Sequence, residues 1–478
     1  MSELELHQII YEAILTQIQF GVRRYKDSLS SADETGRLFC VSVDTVQSVY
    51  RRLKKEGYIS LMRNAGAKVI MSYDDAEIEQ HVQTYFSLRK DALLDMSRSI
   101  QPLLGNIQWI GLKYASPDTL DTIEHLSDKH TNHTFVMWHY LEHKYVALHN
   151  NILMRLARQV YLFFHVPFFN IDRHVRSISS SEQIMETLNL CRGHNWAALQ
   201  ELIDSWQNDL CSSLHHFYTD RITFEAPGNQ MDFRWSSYKK PNQLCYSLAM
   251  ELLISICQGV YLPGSLLPAM EHIARDRNIS ISTVRRAVGL LCSIGAVKSS
   301  RPYGMRVLPF SESLEHCDFS QPVLRQRLID MLESLQILAL SCRSVAELTL
   351  RSLSAESLRH WLQTLSSLKE RPYYNVLPYV VLDLIAGHVP YQTIRTIYSE
   401  LLRQLFWGNP LRGMKGSLET MNALLEPYLT GLLTRLEEGN TSAFCDMFEE
   451  MMLHDLKESA DYLQKMGIQE AGYVLVPE

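Results

Sequence analysis

Apolar residues recur at three- and four-residue intervals over most of the chain, the pattern of amphipathic helices. Ile9, Ile10, Ala13, Ile14, Gln17 and Ile18 predict one such helix ending near Gly21, and Leu248, Leu252, Leu253 and Ile256 predict another ahead of Gly259. A short helix should follow each, over Ser31–Phe39 and Pro268–Arg277. Ser42 and Ser280 then stand as N-caps before helices whose inner faces are Val46, Val49, Tyr50, Leu53 and Val284, Ala287, Val288, Leu291. Gly57 and Gly295 are placed to close them with left-handed C-caps. Beyond these glycines the pattern changes to short strands, Tyr58–Leu61 with Val69–Met71 and Ala296–Lys298 with Met305–Leu308, turning at Gly66 and Gly304. Three helices followed by a two-stranded wing make a winged helix-turn-helix.

The two sets of elements belong to an internal repeat. A gapless shift of 238 carries Gly21 onto Gly259, Leu29 onto Leu267, Arg37 onto Arg275, Ser42 onto Ser280, Thr45 onto Thr283, Leu53 onto Leu291 and Gly66 onto Gly304. A second echo sets Gly193–Leu210 over Gly439–Leu456 at a shift of 246. The expected fold is mainly α, with winged helix-turn-helix domains over 1–72 and 237–310, each followed by an all-helical domain, over 73–236 and 311–478. Phe224–Asn242, rich in Pro, Gly, Asn and charge, reads as the linker between halves.

Composition narrows the class. With 46% apolar and 21% charged residues the chain can build cores, and the richest apolar region, Phe135–Phe164, is broken by His139, Glu142, His143, Lys144, Arg155 and Arg158, so no membrane span is expected. The start, MSELELHQII, lacks the basic region and cleavage site of a secretory signal, which points to the cytoplasm. Nine scattered cysteines without a CxxC pair indicate neither a disulfide framework nor a zinc knuckle. The formal charge is −7, yet Arg37–Lys68 carries a local +5 and Arg275–Arg306 a local +6. Two basic islands in an acidic protein sit where the two winged helices are expected.

The second island resembles a known family. GVYLPGSLLPAMEHIARDRNISISTVRRAVGLLCSIGAV, Gly259–Val297, is similar to the GntR-type winged-helix DNA-binding domain, with Pro263, Gly264, Leu267, Pro268, Ala274, Ser280, Thr283, Val284, Arg285, Ala287, Leu291 and Gly295 in the family's pattern. The first copy keeps Gly21, Leu29, Ser42, Thr45, Val46, Leu53 and Gly57, loses both prolines, and has Val43 and Gln47 where the family favours basic residues. The helical parts resemble, more distantly, the all-helical ligand-binding domain of the FadR branch, through Gly193–Leu210, Gly439–Leu456, His149–Phe164 and Ala386–Leu402, each of the latter two read as one helix. The resemblance implies a transcription regulator with two DNA heads and two sensory bodies in one polypeptide.

For contact with double-stranded DNA the expected residues are Ser280, Ser282, Thr283, Arg285, Arg286, Arg301 and Arg306 in the second head, and Ser42, Thr45, Arg51, Arg52, Arg63 and Lys68 in the first. Guanidinium groups in the first turn of a recognition helix meet base edges or flanking phosphates, and wing cations meet the backbone. His139 and His143, one turn apart, are weak candidates for a metal, which the resembled ligand domain often binds; the further histidines of that pattern are not matched, and no metal or cofactor is expected. Arg371, Tyr373, Tyr374 and Tyr379 are candidates for lining a small-molecule effector cavity. No GxSxG, GxxxxGK[ST] or compact Cys/His set supports catalysis. A DNA-binding regulator, paired with itself within one chain and open to further self-assembly, is thus expected over the alternative of a protein-interaction scaffold built on winged helices.

Overall fold

A computed structural model describes the chain except residues 1–2, 40, 62–65, 130–132, 172–180, 226–227, 236–242, 258, 301–302, 310–311, 313, 370–375, 409–417 and 478. The fold is mainly helical with two small antiparallel sheets. The chain divides into two units: Met1–Leu148 with Met154–Trp235 and Tyr391–Thr393, and His149–Leu153 with Ser236–Pro390 and Ile394–Glu478.

In the first unit, α1 (Glu3–Gln19) packs on α3 (Val43–Lys55), burying Ile10, Ile14 and Ile18 on one side and Val46, Val49 and Leu53 on the other. Between them α2 (Ala32–Leu38) opens on a capping box, in which Ser31 and Glu34 each satisfy the other's backbone N–H. Ser42 caps α3 by accepting from Thr45 N at 3.1 Å, and Gly57, at φ 84°, lets the chain reverse out of the helix. Strands β2 (Ile59–Leu61) and β3 (Ala67–Val69) then pair antiparallel with Ser60 opposite Lys68. A further strand, β1 (Ser28–Leu29), joins the other edge of β3. Two residues are too short to show alternation, so the pattern of the chain gave no sign of it.

The helical part of this unit runs through α4 (Asp75–Ser87), α5 (Lys90–Lys113), α6 (Pro117–Lys129), α7 (His133–Lys144), α8 (Asn151–Val160) from Met154 onward, a π turn over Tyr161–His165, α9 (Val166–Ile171), α10 (Ser181–Arg192) and α11 (Trp196–Asp220). Helix α5 lies along α11 and supplies much of the core. Part of the expected linker is docked: Met231 N donates to Leu88 O at 2.7 Å, Gln230 Nε2 to Ser87 O at 3.0 Å, and Phe233 and Trp235 are buried. Its composition excludes a helix, but its two aromatic rings supply burial that the polar residues around them mask.

In the second unit α12 (Gln243–Cys257), α13 (Met270–Asp276) and α14 (Ile281–Ser293) precede the hairpin of β4 (Val297–Ser300) and β5 (Gly304–Val307). Pro263 and Gly264 form a tight turn, with Ser265 N donating to Leu262 O at 3.0 Å and Gly264 at φ 83°, and the turn ties back to β5 through Gly264 N on Val307 O. Then follow α15 (Pro322–Ser352), α16 (Ala355–Leu368), α17 (Leu377–His388), α18 (Gln392–Leu405) from Ile394 onward, α19 (Leu418–Glu437) and α20 (Thr441–Lys465), with α15 packed along α20.

Three expectations change. Ala386–Leu402 is two helices, because Pro390 lacks an N–H and forces the residue before it, Val389, to extended ψ 134°. His149–Phe164 likewise begins its helix at Asn151 and leaves it for the π turn at Tyr161. The long final helices align at a shift of 245, not 246: Asn195 and Asn440 are the N-caps, each preceded by a left-handed residue, His194 at φ 52° and Gly439 at φ 68°. Matching glycine to glycine misplaced that junction by one residue. Among the described residues no helix is long and apolar enough to cross a membrane.

Candidate nucleic-acid interface

The second helix-turn-helix presents an open cationic face. Ser280 Oγ accepts from Thr283 N at 3.1 Å and lies 2.8 Å from the hydroxyls of both Ser282 and Thr283, so all three hydroxyls gather at the start of α14. That first turn carries no acidic residue. Ser282, Arg285, Arg286 and Gly289 are exposed, at i, i+3, i+4 and i+7, opposite the buried Val284, Ala287, Val288 and Leu291. Arg285 forms no hydrogen bond or ion pair among the described residues, while Arg286 Nε reaches Ser282 O at 3.5 Å. A Cβ built on Gly289 would meet nothing within 4 Å, so the helix backbone there is open to close approach. A mid-helix glycine costs about 1 kcal/mol against alanine, and packing does not require this one.

The wing of the same winged helix carries exposed charge as well. Lys298 and Arg306 stand directly opposite each other in the β4–β5 register and both are exposed. Like charges in that position repel, and an anion between them relieves the repulsion. Lys298 Nζ also lies 3.3 Å from His316 Nε2. Other cations of the island are engaged: Arg275 with Asp276 at 3.4 Å, and Arg277 with Glu251. Arg301 lies outside the described residues.

The first helix-turn-helix is differently equipped. Asp44 occupies the first turn of α3, and the exposed cations Arg51, Lys54 and Lys55 come at its far end. Arg51 Nη2 reaches Gln47 Oε1 at 3.4 Å. Arg52 is built into the head: its guanidinium sits 3.6 Å from the Tyr11 ring centre, donates to Gln8 Oε1 at 2.7 Å and pairs with Glu56 at 3.0 Å. A hydrogen bond from Tyr11 and the Arg52 charge hold the Glu56 carboxyl below its usual range. Thr45 is buried with its hydroxyl on Ser42 Oγ at 2.7 Å, a packing and capping role. Lys68 is half-buried on β3, and Arg63 lies outside the described residues.

The residues expected from sequence thus stand in two places, Ser280, Ser282, Thr283, Arg285 and Arg286 at the start of α14 and Arg306 exposed on the wing, while Gly289 on α14 and Lys298 opposite Arg306 were not singled out. Counting the hairpin outward from Gly304 would have paired Lys298 with Arg306. That Arg52 is spoken for by Gln8 and Tyr11 could not be counted, because those partners lie 44 and 41 residues away.

In the helical parts, His143 Nδ1 lies 2.7 Å from His139 O, the carbonyl one turn back, and among the described residues no group of three metal-type side chains gathers. Each unit holds a cleft. One in the second unit is lined by Tyr379 with Met331, Met421, His454, Asp455 and Glu458; Arg371, Tyr373 and Tyr374 fall outside the described residues. One in the first unit is lined by Gln108, Tyr140, Lys144, His165, Phe169 and Trp206.

No family model matches the chain. Over 69 residues, 14% of this chain, it is 39% identical to proteins named Exu regulon transcriptional regulator from Escherichia coli and Shigella flexneri. The match spans 27% of the length of those relatives. Among solved structures it is similar to Streptococcus agalactiae GntR, at 18% identity and a TM-score of 0.22 over 45% of this chain and 99% of that one. A GntR family member from Pseudomonas syringae, a transcriptional regulator, gives 18% identity and a TM-score of 0.21 over 49% and 92%. Superpositions at that level carry no functional weight, and the interface described above stands on the chain's own residues.

Proposed function

We propose that this protein is a GntR-type transcription regulator that binds double-stranded DNA mainly through its second winged helix. The observation that carries this reading is the exposed set Ser282, Arg285, Arg286, Gly289, Lys298 and Arg306, in which Arg285 has no partner among the described residues and two cations face each other across a hairpin. Water solvates such groups in the free protein, and a polyanion engages several of them at once with release of its counterions. A bidentate guanidinium from Arg285 suits a guanine edge, and Arg306 and Lys298 suit phosphate. The 39% identity to proteins named as transcriptional regulators, though over a short span, supports the same reading.

The chain is further proposed to be a duplication in which two unlike heads serve one DNA site, an intrachain counterpart of a symmetric dimer, with the helical parts sensing an effector. The recurrence of caps and turns at Ser42 and Ser280, Gly57 and Gly295, and Asn195 and Asn440 supports this. The heads would read unlike half-sites, since Gln47 stands at the position of Arg285 and Asp44 at that of Ser282.

The test is titration of the full chain with the duplex upstream of its own coding region over a series of salt concentrations. Affinity should fall linearly in log salt, by about 0.9 per phosphate neutralised. Affinity independent of salt, or no binding, removes the reading.

A further inference from the structure

A further cleft of the first unit lies outside its helical body, where the body meets α1. That helix packs against α4 and α9 as well as against α3. The lining comes from four places in the chain, all within this unit: Glu12 on α1, Arg89 just before α5, Gln159 to Phe163 from the end of α8 into the π turn, and the docked segment Gln230–Arg234.

These walls are held in place. The Arg89 guanidinium lies 3.8 Å from the Tyr85 ring centre and donates to Tyr85 O at 3.3 Å, and the Tyr85 ring packs edge-on against Phe20 at 5.4 Å. The docked segment is tied by Met231 N on Leu88 O and by Phe233, whose ring meets Phe163 edge-on at 5.3 Å. Leu162 and Phe163 stand in the π turn itself, an irregularity that re-aims side chains and is frequent at functional sites.

The charges of the lining do not neutralise one another. Arg89 and Arg234 bring two guanidinium groups and Glu12 and Asp232 two carboxylates, yet none of the four forms an ion pair among the described residues. Glu12 accepts only from Gln8 Nε2, at 2.7 Å, a side chain on its own helix. Gln159 Oε1 is shut off from solvent and has no donor among the described residues, a costly state for an acceptor.

The inventory selects a ligand. Two guanidinium groups suit a phosphate, three separate acceptors require several O–H or N–H donors, and Phe163 with Leu162 offers an apolar wall for a flat ring. A simple organic acid brings no such set of donors, and a free amino acid brings one ammonium for three acceptors. We propose that this cleft binds a nucleoside phosphate, its phosphate on Arg89 and Arg234, its sugar hydroxyls and base N–H groups on Asp232, Glu12 and Gln159 Oε1, and its base against Phe163 and Leu162. An occupied cleft ties α1 of the helix-turn-helix to the body and to the docked segment. That this alters DNA binding rests on the regulator reading; that the nucleotide binds does not.

The experiment is calorimetric titration of the full chain, without DNA, with adenosine and guanosine monophosphate, and with adenosine, ribose phosphate and leucine as controls. At least one nucleotide should bind saturably, and each control should bind more weakly by about tenfold or more. Arg234→Ala and Asp232→Ala remove exposed side chains that the fold does not use, and each should weaken nucleotide binding by about tenfold. No saturable binding of either nucleotide, equal binding of ribose phosphate or leucine, or undiminished binding by either variant would each overturn the proposal. So would a nucleotide affinity that falls with Arg285→Ala instead, since that places the ligand on the DNA-facing helix. Because DNA is absent, loss of the regulator reading would leave a positive result intact.

Discussion

Lys26 and Gly264 occupy the same point of the same turn. Their φ angles are 73° and 83°, and each donates its backbone N–H to a wing strand, Lys26 to Val69 O at 3.0 Å and Gly264 to Val307 O at 2.9 Å. The first helix-turn-helix has no Pro-Gly pair there but makes the same turn, with Asp27 N on Arg24 O where Ser265 N meets Leu262 O. A left-handed lysine carries a steric penalty of about 1 kcal/mol that glycine escapes.

Lys26→Gly should therefore stabilise the first head, and Gly264→Ala should destabilise the second by about 1 kcal/mol, since its Cβ would meet nothing within 4 Å and only the backbone angle resists it. Urea unfolding of the two full-length variants reads both. A stabilising Gly264→Ala would show that the turn is not held as described.

Arg285 and Arg52 separate recognition from architecture. Arg285→Ala should cost about 1 to 3 kcal/mol in DNA affinity with no change in unfolding temperature. Arg52→Ala should lower the unfolding temperature, because it strips Tyr11, Gln8 and Glu56 of a shared partner. Equal effects of the two on affinity at unchanged stability would contradict the assignment.

Across the wing, Arg306→Ala should flatten the salt dependence of DNA binding by about 0.9 in log–log slope. The same change should leave the free protein no less stable at low salt, since it removes one of two like charges facing each other at Lys298. An unaltered slope would remove Arg306 from the phosphate contacts.

Lys144 makes a prediction about pH. Burial pushes its ammonium down to about 7 in the folded chain, against about 10.4 for an unfolded lysine. The unfolded chain then holds the extra proton between those values, so this group makes stability rise as pH climbs from about 7 toward 10.4. Lys144→Met should remove that part of the rise and be the more stable protein at pH 7. Identical pH slopes for the two, measured by urea unfolding, would mean that the amine is not held as described.

What the chain showed in advance, and what it did not, follows from the range of each interaction. Helices whose inner faces repeat locally, such as Val284, Ala287, Val288 and Leu291, were legible, and so were the glycines at 57 and 295, because a helix end is a local event. The two-residue strand at Ser28, the docking of Phe233 and Trp235, and the pairing of Lys144 with Gln108 were not, since each depends on partners 36 or more residues away or on too few residues to form a period. Arg285 could be found from its place after Ser280, but that it has no partner among the described residues could be learned only from the folded chain.

The most direct test of the DNA-binding account is selection of the full chain on a random duplex library at about 0.15 M salt, the physiological range. The account predicts enrichment of a site with two unlike halves, one of which loses its preferred guanine when Arg285 is replaced by Ala. Recovery of a pool indistinguishable from the starting library would contradict it.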